Sequence, residues 1–167
     1  LEVLVIEKTE HYGGSTALSG GGLWIPNNHL LQQAGLEDSF DKARLYLANT
    51  VGKRTPQALQ DAYLNNAPEM VKYMSSNSRV RFHRSVGYAD YYPERPGGMS
   101  DGRAIEGSPF DGRKLGKDYD QLRPMSLKAP AGLSFTASEY NKLGMLTSTW
   151  AGKWTALKVG VRTIFNL

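Results

Sequence analysis

Three tyrosines, Tyr88, Tyr91 and Tyr92, crowd into the stretch GYADYYPE. A phenol titrates near about 10 in water, so it moves protons at neutral pH only where its surroundings lower that value. Where it does so, such a group can donate or accept a proton at a bound ligand. The plain alternative is an aromatic cluster that packs internally or lines an apolar pocket. Asp90 sits inside the stretch, and its carboxylate suits a backbone hydrogen bond that would hold the Tyr91 loop.

A second group of residues opens the chain. In LEVLVIEK, Leu1, Val3, Leu4, Val5 and Ile6 form a near-continuous apolar run that ends on Glu7 and Lys8. Such a run suits a buried parallel strand. In a dinucleotide-binding fold the second strand ends in an acid that accepts hydrogen bonds from the adenosine ribose. Glu7 stands where that acid belongs. The loop that follows carries Gly13, Gly14, Ser15, Thr16, Ala17, Ser19, Gly20, Gly21 and Gly22. Backbone amides without side chains can approach a pyrophosphate or a ring edge closely, and the hydroxyls add donors. An ordinary core strand followed by a surface turn would show the same pattern. The G-x-G-x-x-G turn of such a fold precedes the acid, whereas the glycines at 19–22 follow it. The 167 residues are therefore expected to be a fragment that lacks the first Gly-rich turn.

The remaining composition narrows the chemistry. Cysteine is absent, which excludes disulfides, thiolate catalysis and a sulfur-linked flavin. That fits a reducing compartment, and the expected location is cytoplasmic. His11, His29 and His83 share no ligand spacing, so no metal site is expected. The net charge of +4 comes from dispersed basic residues, which argues against a nucleic-acid surface. Most arginines, Arg103 among them, are expected on solvated faces or in loop-anchoring salt bridges. No apolar run is long enough for a transmembrane segment.

These residues need elements to position them. Ser39 reads as an N-cap for a helix with Phe40, Ala43, Leu47 and Val51 at helical spacing, stopped by Gly52. Thr55 and Pro56 open a second helix, with Leu59, Ala62 and Tyr63 inward, a kink or fresh start at Pro68, and an end near Met74. Val80 and Phe82 alternate with charged residues as a short strand. Residues 84–133 read as long ordered loops with short strands. Thr136 and Glu139 form a capping box ahead of Tyr140, Leu143 and Leu146. The final WTALKVGVRTIF is helix or strand. Trp24 is expected in the core, and His11 and Tyr12 beside the glycine pair.

VLVIEKTEHYGGSTALSGGGLWIPNN resembles the flavin-binding segment of bacterial 3-ketosteroid dehydrogenases acting at the 1,2-bond, within the fumarate-reductase-like flavoproteins. NNAPEMVKYM, VRFHRSVGYADYYPERPGG, IEGSPFDGRKLG and LRPM extend the resemblance through residues 3–145. The resemblance implies an α/β fold, a partial Rossmann-like FAD-binding domain with helical segments and long ordered loops. It implies FAD as cofactor, with Glu7, Lys8, Gly14, Ser15, Thr16, Ala17, Ser19, Gly20, Gly21 and Gly22 holding it. It implies Tyr91 as the catalytic tyrosine, with Tyr88 and Tyr92 shaping the pocket of a steroid substrate. The inserted substrate domain and the C-terminal flavin segment of such enzymes are expected to lie outside this chain. The fragment alone should then be inactive and need the remainder of the enzyme, with an electron acceptor that the sequence does not identify. Two other readings stand beside this one. The first is a related flavoprotein acting on a steroid 4,5-bond, a smaller enone or a cyclic ketone. The second is a truncated or split chain that serves as a non-catalytic subunit.

Overall fold

The computed structural model describes residues 2–124, 133 and 135–166. Helix α1 (Gly14–Leu18) leads into strand β1 (Gly22–Trp24), followed by α2 (His29–Gln33) and α3 (Phe40–Thr50). Then come α4 (Gln57–Asn77), β2 (Phe82–Arg84), β3 (Ala104–Gly107), α5 (Ala137–Leu143) and α6 (Trp150–Asn166). Short 3₁₀ segments at Gly52–Arg54 and Gly112–Gln121 complete the regular structure.

The strands form one antiparallel sheet in the order β1-β3-β2. Leu23 faces Ile105 across one pair, and His83 faces Glu106 across the other. Ile25, Ala67, Val71 and Ile105 make the buried core, with Leu30 and Phe82 packed against it. The core thus joins α4 to the sheet and its flanking turn.

Local sequence explains most boundaries. The Ser39 hydroxyl accepts from the Lys42 amide and starts α3, which buries Ala43 and Tyr46. Gly52, at φ +58°, ends it in the conformation that glycine adopts most cheaply. Helix α4 starts at Gln57 without a side-chain cap, so Thr55 does not play the expected role. Gln60 serves the same junction from inside the helix, donating Nε2 to the carbonyls of Gly52 at 3.0 Å and Thr55 at 2.8 Å. The buried face is Gln60, Leu64, Ala67 and Val71, and not the expected one, since Leu59 is 62% exposed. Pro68 lies inside α4 without dividing it, and the helix runs past Met74 to Asn77. The capping box of Thr136 and Glu139 forms as expected. The closing stretch is helical, and Arg162 of α6 donates to Glu139 at the start of α5 over 2.9 Å.

The segment before Glu7 departs from expectation. Residues 2–7 form no strand, and Val3, Leu4, Val5 and Ile6 are each more than four-fifths exposed. A buried parallel strand requires neighbours on both sides. Among the described residues none pairs with it. The expected loop stretch holds β3 and the longer 3₁₀ segment, while residues 125–132 lie outside the described residues. Among the described residues, no helix is long and apolar enough to cross a membrane.

Candidate functional site

A cavity of about 480 Å³ lies between β1, α3, β3 and the loop that follows β2. That volume is in the range of small-molecule sites, typically about 300 to 1,000 Å³. Gly20 and Gly22 line one part of it, and Tyr88, Tyr91 and Tyr92 line another. Leu23, Trp24, Leu47, Val51 and Ile105 give the walls an apolar character. Glu106 adds a carboxylate, with Oε1 3.2 Å from Nε2 of His83, its cross-strand neighbour.

The glycines leave room for a ligand beside the backbone. A Cβ built on Gly14, Gly20, Gly21 or Gly22 would meet no atom within 4 Å. Gly14 and Gly21 have φ of +52° and +72°, where other residues are strained. Tyr12 ties this loop down: its amide donates to the Gln121 carbonyl at 3.0 Å, and its own carbonyl accepts from Arg123 at 2.9 Å. The loop is therefore open on one side and anchored at its start, which fits a cofactor with a pyrophosphate and a flat ring.

Glu7 sits at the head of that loop. Its Oε1 accepts from the amides of Lys8 at 2.8 Å and Thr9 at 3.1 Å. The Thr9 amide leads the interactions that hold this carboxyl below its usual range, so it stays anionic at neutral pH. Of the residues expected to hold the cofactor, Glu7, Lys8, Gly14, Ser15, Thr16, Ala17, Ser19 and Gly21 do not line the cavity.

A buried charge cluster that the sequence reading missed lies beside the tyrosines. Arg103 is 1% exposed, so of its two expected places it takes the loop-anchoring salt bridge and not the solvated face. It donates Nε and Nη2 to the two oxygens of Asp38, at 2.9 and 2.7 Å, and Nη1 to Asp90 at 2.8 Å. Burial pushes the Asp38 carboxyl up, but the hydrogen bonds and charge of Arg103 outweigh it and hold the carboxyl below its usual value. Asp90 also accepts from the Trp24 indole at 2.7 Å and from the Met99 amide at 2.9 Å. The anchoring role read for Asp90 from sequence therefore has its partner in Met99. Trp24 stacks on Tyr63 and tilts against Tyr46, so it both packs and lines the cavity. The only sequence signal for the cluster was an acid inside an aromatic loop, because Asp38 and Arg103 are 65 residues apart.

Tyr46 is a further cavity residue that sequence reasoning missed. It is 5% exposed, and burial pushes its phenol up, so it stays protonated at neutral pH. Its hydroxyl accepts from the Tyr92 amide at 3.2 Å. Tyr91 itself stands at the rim, 85% exposed, while Tyr88 and Tyr92 are about half as exposed. Among the described residues, no three His, Asp or Glu side chains converge as metal ligands.

Known proteins resemble this chain over most of its length. The family described as FAD binding domain matches residues 1–158. The chain is 43% identical over 166 residues to a 3-oxosteroid 1-dehydrogenase of Mycolicibacterium smegmatis, covering 99% of this chain and 29% of the relative. It is 42% identical over 165 residues to a protein of the same name from Mycobacterium tuberculosis, with the same coverage. It also matches the crystal structure of 3-ketosteroid delta1-dehydrogenase from Sterolibacterium denitrificans in complex with 1,4-androstadiene-3,17-dione. That match has a TM-score of 0.84 at 34% identity, over 98% of this chain and 29% of that one. The chain thus spans 29% of the length of these relatives. The family match covers the open glycine loop, the cavity and the buried charge cluster alike, and the chain belongs to the FAD binding domain family.

Proposed function

We propose that this chain is the flavin-facing part of an FAD-dependent oxidoreductase that introduces a 1,2-double bond into the A ring of a 3-ketosteroid. The observation that carries the reading is the cavity with glycines of the flavin loop on one wall and three tyrosines on another. Its apolar lining suits a fused-ring substrate, and the relatives are named for this reaction.

In this reading, Glu7 accepts from the adenosine ribose hydroxyls, with Lys8 beside it. Gly14, Ser15, Thr16 and Ala17 present amides and hydroxyls to the pyrophosphate. Ser19, Gly20, Gly21 and Gly22 let the ribityl chain and the ring system lie against bare backbone. When bound, FAD supplies a hydride acceptor. Tyr91 takes part in removing the proton from the carbon next to the ketone, and Tyr88 and Tyr92 shape the pocket around the A ring. Covering the exposed Tyr91 and polarising the 3-keto oxygen fall to the remainder of the enzyme.

Tyr91→Phe in the full-length protein tests the assignment, because it keeps the ring and removes only the hydroxyl. A proton-relay role predicts a kcat about 10²- to 10⁴-fold lower in an assay with 4-androstene-3,17-dione and an artificial electron acceptor. Pocket lining predicts a higher KM at nearly unchanged kcat. A near-normal kcat would remove Tyr91 from the chemistry.

A further inference from the structure

Among the described residues Tyr91 has no hydrogen-bond partner, yet the residues on either side of it are fixed. On one side, Asp90 is held by the Trp24 indole, the Met99 amide and the Arg103 guanidinium, at 2.7, 2.9 and 2.8 Å. The Asp90 amide donates in turn to the Met99 carbonyl at 2.9 Å. On the other side, the Tyr92 amide donates to the Tyr46 hydroxyl at 3.2 Å. The Tyr92 ring lies 4.2 Å under the Arg95 guanidinium, whose Nη1 donates to the Asn49 carbonyl of α3 at 2.8 Å. One anchor reaches β1 and the residue before β3, and the other reaches α3. An exposed side chain whose two neighbours are tied to separate elements has its Cα position set by those ties, while its ring stays open to a ligand.

We infer that Tyr46 and Asp90 form a two-sided clamp that positions Tyr91 over the cavity, an inference that rests on the proposed role of Tyr91. Both are positioning residues, acting through the backbone of the residues next to Tyr91. Tyr46 suits the task because its buried phenol stays protonated while its oxygen accepts the Tyr92 amide. Asp90 suits it because it is 6% exposed and its carboxylate has three donors around it. A displacement near 1 Å at a reacting group costs about a hundredfold in rate, so loosening one anchor should be visible in turnover.

The test uses the full-length holoenzyme with Tyr46→Phe, Asp90→Asn and Tyr91→Phe, each alone, and Tyr46→Phe combined with Tyr91→Phe. Tyr46→Phe is expected to lower kcat about tenfold to a hundredfold, with KM and FAD content nearly unchanged. Asp90→Asn is expected to act in the same direction, and if it fails to fold, Tyr46→Phe still decides the matter. The double variant is expected to be no slower than Tyr91→Phe alone, because a positioning residue has nothing left to position. Multiplying losses in the double variant would overturn the clamp. So would an unchanged kcat in Tyr46→Phe alongside a severe loss in Tyr91→Phe, which would leave the role of Tyr91 standing. A normal kcat in Tyr91→Phe would remove that role, and the clamp with it.

Discussion

Replacing Arg103 with Met should destabilise the protein and invert its response to acid. The guanidinium is 1% exposed, and the side chains of Asp38 and Asp90 are 0% and 1% exposed, so solvent does little to screen the three charges. Removing the cation leaves two buried carboxylates without a counterion. Breaking a buried pair in this way costs about 3 to 5 kcal/mol, a large share of the roughly 5 to 15 kcal/mol that holds a typical domain together. In the parent protein the folded Asp38 carboxyl lies below its ordinary value. Its contribution is fully present above the unfolded value, about pH 4, and is lost as pH falls through the folded one. In Arg103→Met, burial, the largest influence on the Asp38 carboxyl, is opposed only by the Asn27 and Ser39 amides and pushes that carboxyl up. The folded state then binds more protons than the unfolded one, and stability rises as pH falls from 7 to 5. Urea unfolding followed by tryptophan fluorescence measures both effects, and Trp24 lies in the cluster itself. Arg103→Lys should fall between the two, since one ammonium cannot reproduce a fork that spans both acids. A loss below about 1 kcal/mol, or the same deficit at pH 5 and pH 7, would refute this account of the cluster.

Glu7→Ala in the full-length protein should weaken FAD binding about tenfold, since it removes an anionic acceptor at the proposed ribose site; flavin fluorescence titration reads this, and an unchanged affinity would take Glu7 out of the site. Gly97→Ala should be among the most damaging small substitutions in the loop, because its Cβ would meet the Lys42 carbonyl and the Tyr46 amide at van der Waals overlap and its φ is +80°. Strain and overpacking together predict a loss of about 2 kcal/mol or more in urea unfolding, and a neutral result would mean that the loop does not seat on α3.

Local signals in the sequence carried the helices. Ser39 and the Thr136–Glu139 box mark helix starts because a hydroxyl at that position has a near neighbour to cap, and both appear in the structure. The inward face of α4 was misread for a physical reason. Leu59 and Tyr63 are apolar and Gln60 is polar, so hydrophobic spacing alone turns the helix the wrong way. Gln60 faces inward because its amide satisfies two carbonyls at the preceding turn, a need that hydropathy does not register. Leu64, Ala67 and Val71 carried the correct stripe all along. The opening apolar run was misread as a strand because a parallel strand is a property of its neighbours as much as of its own residues.

The site divides along the same line. The glycine loop and the tyrosine stretch are each contiguous, so motif and resemblance reach them. What holds the tyrosines in place comes from distant parts of the chain: Trp24 and Asp90 are 66 residues apart, and Tyr46 and Tyr92 are 46 apart. No spacing rule links such pairs, and a lone buried arginine looks in sequence like any surface arginine. The fold makes Arg103 a centre by bringing Asp38 and Asp90 to opposite sides of one guanidinium, whose fixed fork sets their separation. The same Asp90 then reaches the indole of β1, which lines the cavity with Gly20 and Gly22. Through these shared residues the wall proposed to face the flavin and the loop proposed to face the substrate are built on one rigid cluster. A change in Arg103 should therefore register in both cofactor retention and turnover, whereas a change confined to Tyr46 should register in turnover alone.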